Sequence, residues 1–141
     1  MNDPYNLERF VTAQDGGGTY AAALAELHAG RKTSHWMWFV FPQIAGLGQS
    51  SVARQYAISS LDEARAYLRH PVLGPRLIEA TEAVAAIRDR TAEQILGGID
   101  ALKLRSSMTL FARADPGERV FQDVVDRYFD GVPDAMTNER I

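Results

Sequence analysis

Ser34-His35-Trp36-Met37-Trp38-Phe39-Val40-Phe41-Pro42-Gln43 is the stretch whose reading decides the fold. Its density of aromatic and β-branched residues suits a strand. Two features favour a short helix capped by Ser34 and ended by Pro42. The run Trp36 to Phe41 is apolar without alternation, and no other part of the chain offers a pairing strand. A helix that is apolar all round is a buried one.

Start and stop signals on either side extend this all-α reading. Upstream, Leu7 to Gln14 forms a short helix stopped by Gly16-Gly17-Gly18, and Thr19 caps a helix from Tyr20 to Ala29 that ends at Gly30. Downstream, Ile44 to Ser51 is a loop and Ser51 to Ile58 a short helix. Ser60-Leu61-Asp62-Glu63 and Thr91-Ala92-Glu93-Gln94 are capping boxes, in which hydroxyl and carboxyl or amide satisfy each other's backbone N–H groups. Between them, Leu77, Ile78, Ala80, Val84 and Ile87 recur at helical spacing after Gly74-Pro75. The turn from Thr91 stops at Gly97-Gly98, and a helix runs from Ile99 to Arg113. Pro116 suits a first helical position, and Val120, Phe121, Val124, Val125 and Tyr128 mark a last helix that Gly131 stops. The expectation is a compact multihelical domain of about seven helices with a short, polar, partly docked tail from Val132.

The 141 residues have the size of one domain, 1–141, with no repeat or linker to divide it. Fifteen basic and 18 acidic side chains give a net charge of −3, which lacks the footprint of a nucleic-acid binder. No basic amphipathic segment suits a membrane surface, and Trp36–Phe41 is far too short to cross a bilayer. The polar start Met1-Asn2-Asp3-Pro4 carries no leader signature, so a soluble cytoplasmic protein is expected. There is no cysteine, which excludes disulfides and thiolate metal sites. His28, His35 and His70 lack metal-ligand spacing, no phosphate-cradling loop motif is present, and no metal or cofactor is expected.

Polar chemistry concentrates in two segments. Arg31 to Gln43 holds both tryptophans, two of the six phenylalanines, a lysine, a histidine and an amide. On a helix His35 shares a face with Trp38 and Phe39. Aromatic walls favour the uncharged imidazole, which suits a general base or a donor to ligand. Tryptophans stack on planar rings. The alternative is that the segment is core and His35 a satisfied core histidine. In the second segment, Asp100, Lys103 and Ser107 fall at i, i+3 and i+7, and Ser106 lies one turn from Lys103. A lysine beside a serine suits a nucleophile pair or an anion contact. The alternative is a surface ion pair, with Ser106 and Ser107 as small residues that let helices approach.

The same residues resemble a family. Lys32-Thr33-Ser34-His35-Trp36-Met37-Trp38-Phe39 with Phe41-Pro42-Gln43 and Gly46-Leu47-Gly48 resembles the hallmark of the bacterial domain of unknown function number 1810, some of whose members carry the label calpastatin. Tyr56-Ala57-Ile58, His70-Pro71, and Asp100 with Lys103-Leu104 through Ser106-Ser107-Met108-Thr109-Leu110-Phe111 extend the match from about Leu7 to Phe129. The resemblance implies a compact multihelical domain and brings no activity with it.

Two functions follow as expectations. The first is a small-molecule-binding protein, with catalysis left open, whose pocket forms where the two segments meet. An anionic, nucleotide-like ligand would meet Lys32, His35, Trp36, Trp38, Gln43, Asp100, Lys103 and Ser107, with His35, Lys103 and Ser106 as the candidates for any catalysis. The second is a non-catalytic interaction or structural module.

Overall fold

The computed structural model describes residues 3–141, so the reading of Met1-Asn2 lies outside the described residues. Ten α-helical segments are found among them. These are α1 (Glu8–Asp15), α2 (Thr19–His28), α3 (Met37–Val40), α4 (Ser51–Gln55), α5 (Leu61–Arg69), α6 (Leu73–Ala86), α7 (Ala92–Leu96), α8 (Gly98–Ala114), α9 (Val120–Tyr128) and α10 (Ala135–Arg140). A 3-10 turn over Gly16–Gly18 joins α1 to α2. The all-helical expectation holds, and the count of about seven was low.

The tail accounts for part of the difference, because it forms a helix of its own. Asp134 caps α10 by accepting from the Thr137 N–H, and its carboxylate also takes the Ser106 hydroxyl of α8 at 3.2 Å. The Asp134 N–H in turn donates to Thr109 Oγ1 at 2.9 Å. These bonds hold α10 against α8.

Capping chemistry separates the starts that follow local rules from those that do not. Thr91 and Gln94 form a full capping box on α7. Ser60 caps α5, but the Glu63 carboxylate takes Ser59 N–H and Ser59 hydroxyl instead of Ser60 N–H. Glu63 is buried and paired with Arg9 at 3.1 Å, so a tertiary contact displaces half of the local motif. Ser50 caps α4, which starts at Ser51 as expected but ends at Gln55 and not at Ile58. Thr19 does not cap α2; its hydroxyl donates to the Gly16 carbonyl.

α8 is the central rod, packing against α5, α7, α9 and α10, while α6 packs on α2, α5 and α9. Aromatic rings run through the core as a chain of edge and tilted contacts. Phe10 meets Tyr67 at 5.1 Å, Tyr67 meets Phe111 at 5.4 Å and Phe111 meets Phe121 at 5.8 Å between centroids. Each such ring buries a large apolar area and adds directional contact. Tyr67 is fully buried, and loss of solvation pushes its phenol well above the ordinary range.

The deciding stretch forms one helical turn, α3, flanked by irregular chain with bends at Ser34, His35 and Phe41. Just beyond it, Ile44 and Ile58 form an isolated parallel bridge, with Ala45 N–H donating to the Ile58 carbonyl and Ile58 N–H to the Gln43 carbonyl, both at 2.8 Å. The loop expected after Pro42 is thereby tied to the segment after α4. No helix among the described residues is long and apolar enough to cross a membrane.

Candidate functional site

Glu26 on α2 shapes the chain that leads into α3. Its carboxylate accepts the Thr33 N–H at 2.7 Å, the Ser34 N–H at 3.1 Å, the Ser34 hydroxyl at 2.5 Å and the Trp36 indole N–H at 2.9 Å. Desolvation works to raise this carboxyl, but the hydrogen bonds to the charged form win and hold it at about 2. Ser34 is therefore not the cap of α3, as expected from sequence, because its hydroxyl is committed to Glu26. From α7, the Ile95 carbonyl accepts the Lys32 N–H at 2.7 Å and fixes the other end.

The two polar segments meet at Asp100, in the first turn of α8. One oxygen of its carboxylate contacts Lys32 Nζ at 3.0 Å and the other contacts Lys103 Nζ at 3.4 Å. Each ammonium also lies over a tryptophan, Lys32 over Trp36 at 5.2 Å and Lys103 over Trp38 at 4.8 Å. Stacked over a ring, a lysine keeps its charge while its stem is ordered. Two ammoniums and one carboxylate leave one positive charge in excess. The α8 N-terminus adds to it. Gly97 (φ 89°) turns the chain out of α7 with a backbone that an L side chain strains to adopt. The first N–H groups of α8 then face away from the helix without intrahelical partners.

A cleft of about 370 Å³ opens here, lined by Lys32, His35, Trp38, Gly97, Gly98, Ile99 and Asp100. Next to it, a second cavity of about 300 Å³ is lined by Gln43, Leu47, Ile99, Leu102, Lys103, Ser106, Asp134 and Met136. Ile99 borders both. Of the residues singled out from sequence, Lys32, His35, Trp38 and Asp100 thus share one cleft, and Gln43, Lys103 and Ser106 share its neighbour.

Three sequence expectations need correction in detail. Trp36 is fully buried with its indole N–H on Glu26, so it backs Lys32 from beneath and offers no wall to a ligand. His35 is exposed, without the aromatic enclosure that its expected general-base role required. Ser106 donates to the Leu102 carbonyl at 3.1 Å and to Asp134, while Lys103 is held by Asp100 and Trp38. The two are committed to different partners, and no Ser–Lys nucleophile pair forms. Ser107 is fully buried, and its hydroxyl finds no hydrogen-bond partner among the described residues. A buried hydroxyl without a partner costs about 1–3 kcal/mol.

Sequence reasoning missed Glu26, Gly97-Gly98 and Ile99. For the glycines a signal existed: a pair that stops one helix also starts the next, and a helix start is where backbone N–H groups collect. For Glu26 no local signal existed, since its partners lie seven to ten residues away. Among the described residues no group of three or more His, Cys, Asp or Glu is placed to hold a metal ion.

Comparisons with known proteins bear on the chain as a whole. The family described as protein of unknown function (DUF1810) matches residues 4–141, which extends the match through α10. The crystal structure of a conserved hypothetical protein from Mycobacterium tuberculosis is similar, with 51% identity over 97% of this chain and 96% of that one, at a TM-score of 0.94. No curated protein matches.

Proposed function

We propose that this chain, which belongs to the DUF1810 family, is a small-molecule-binding protein that takes an anionic ligand at the start of α8. The observation that carries the reading is the convergence at Asp100. Two lysines from separate segments, Lys32 and Lys103, are brought to one carboxylate at a helix N-terminus, Lys32 lining the cleft that also holds His35 and Trp38, and Lys103 lining the cavity next to it. Lysines and free backbone N–H groups at a helix start suit a phosphate or carboxylate. Asp100 keeps the two ammoniums in place before a ligand arrives, and the half-buried Trp38 ring that lines the cleft suits a planar group on the same molecule. The ligand is read as nucleotide-like, with residues 1–141 acting as one domain. The acidic, cysteine-free composition suits a cytoplasmic setting and gives no support to nucleic-acid polymers as partners.

A thermal-shift screen tests this with nucleotides, NAD-type dinucleotides, ADP-ribose and phosphosugars against wild type, Lys103→Ala and His35→Ala. A ligand at a hundredfold excess over its Kd stabilises by about 2.7 kcal/mol. The expected result is a shift in wild type that both folded variants reduce. A blank screen, or a shift that both variants keep in full, contradicts the reading.

One observation favours the second reading, an interaction module. Ile99 and Leu102 are 74% and 64% exposed on adjoining turns of α8, with Met136 at 52% beside them. Apolar exposure of this kind marks binding surfaces for proteins as well as for ligands. On that reading the ligand screen is blank, and Ile99→Ser with Leu102→Ser changes the sedimentation of the pure protein.

A further inference from the structure

Trp38 borders two cavities. Beyond the Lys32–Asp100 cleft it also lines a cavity of about 250 Å³ with Gln43, Gln49, Arg54 and Tyr56. Residues 43–48, which form one wall, are held in place by the bridge between Ile44 and Ile58. The wall lies tight on α4, since a Cβ at Gly48 would sit 2.5 Å from that of Ala53. Tyr56 is braced from behind by Phe39 and Phe10, at 5.3 and 5.8 Å between ring centroids. The cavity therefore combines two aromatic rings with two side-chain amides and a guanidinium on a fixed backbone.

We propose that this cavity seats a planar nitrogen heterocycle of the same ligand whose anionic group occupies the Lys32–Asp100 cleft, so that the ligand class is a nucleoside phosphate. The inference rests on the anion-binding reading above and adds the other end of the molecule. Aromatic rings accept any flat heterocycle by stacking. Gln43 and Gln49 each offer a donor and an acceptor to the edge of such a ring, and Arg54 offers a planar donor group. Gln43 is half-buried, so an aliphatic guest would cover its amide without satisfying it, whereas the exposed Gln49 and Arg54 add donors at the rim. Trp38 lines both cavities, and the proposed ligand spans them across its ring. Gln43 also borders the Lys103–Ser106 cavity and closes the circuit.

Isothermal titration on the full chain separates the two ends of the ligand. The probes are the four common ribonucleoside monophosphates and ribose 5-phosphate. The expected result is that at least one nucleotide binds wild type about fivefold or more tighter than ribose 5-phosphate, the minimum gain from one stacked ring. The double variant Gln43→Ala, Arg54→Ala, with its circular dichroism melt checked against wild type, is expected to bring the nucleotide down to the level of ribose 5-phosphate and leave ribose 5-phosphate unchanged. Lys103→Ala is expected to weaken both probes alike. Equal binding of all probes to wild type overturns the ring seat and leaves the anion site standing. A double variant that keeps the nucleotide preference does the same, whereas one that weakens ribose 5-phosphate puts the phosphate at Arg54 and overturns both the ring seat and the placing of the anion. No binding of any phosphate-bearing probe overturns the anion reading and this inference with it.

Discussion

The Glu26 carboxylate holds the chain between Thr33 and Trp36 through four hydrogen bonds, and they keep it charged down to about pH 2 despite the desolvation that works the other way. The ordinary value for this group is 4.5. With the folded-state value depressed, the stabilisation is fully present above about pH 4.5 and is lost as pH falls from there toward 2. Glu26 is only half-buried, so the contribution belongs at the lower end for charged hydrogen bonds, about 1–2 kcal/mol. Glu26→Gln is expected to lower stability by that amount at pH 7 and to remove this share of the acid-dependent loss. Melting curves of both proteins between pH 2 and 7 check it, and parallel curves would contradict the role. Lys32 and Lys103 show what the sequence could and could not reveal at this scale. Lys103 and Asp100 were legible as an i,i+3 pair on a helix. Lys32 was legible as a site residue but its ion pair with Asp100 was not, because that contact depends on α7 positioning the Lys32 backbone.

Helix packing sets the next level. Gly74 near the start of α6 lies against the Leu68 backbone carbonyl of α5, with no room for a Cβ. Gly74→Ala must push the two helices apart, and is expected to cost about 2 kcal/mol or more in a urea melt. The C-terminal helix is held by fewer ties. Asp134→Ala removes the α10 cap and the Ser106 and Thr137 contacts. Hydrogen exchange is expected to speed up across α10 and leave α6 unchanged. Helices with strong local signals were readable: the Thr91 box of α7 and the apolar spacing of α6 both stand. Local capping failed where a distant residue outcompeted the local one. Glu63, paired with Arg9, leaves half of the α5 box unmade although the helix still starts after Ser60. Glu26 takes the Ser34 hydroxyl expected to cap α3. α10 went unread although Asp134 and Thr137 have cap spacing, because no apolar periodicity drew attention to them. The helix choice for Trp36–Phe41 held for one turn only, Met37–Val40, with irregular chain on either side.

Over the whole molecule, exposed apolar surface and charged chemistry fall on the same side. Ile99, Leu102 and Met136 line the cavities around Lys103, and Val132, 52% exposed, takes the Arg105 side chain on its carbonyl beside them. These side chains add little to folding, so Ile99→Ser with Leu102→Ser is expected to leave stability within about 0.5 kcal/mol. A larger loss would mean that the pair is packed within the chain. The separation of these residues along the sequence explains why the site was legible only in part. Each segment could be recognised as unusual, but nothing in either one specifies that α7 and α2 bring them to the same helix start. The most direct test of that assembly is an NMR titration of the isotope-labelled chain with a nucleoside monophosphate, following backbone amides and both indoles. The account predicts shifts centred on Gly98, Ile99, Asp100, His35 and the Trp38 indole, with the cavity between Arg65 and Asp115 on the α5 side unchanged. Shifts centred on that other cavity, or none at all at millimolar ligand, would contradict it.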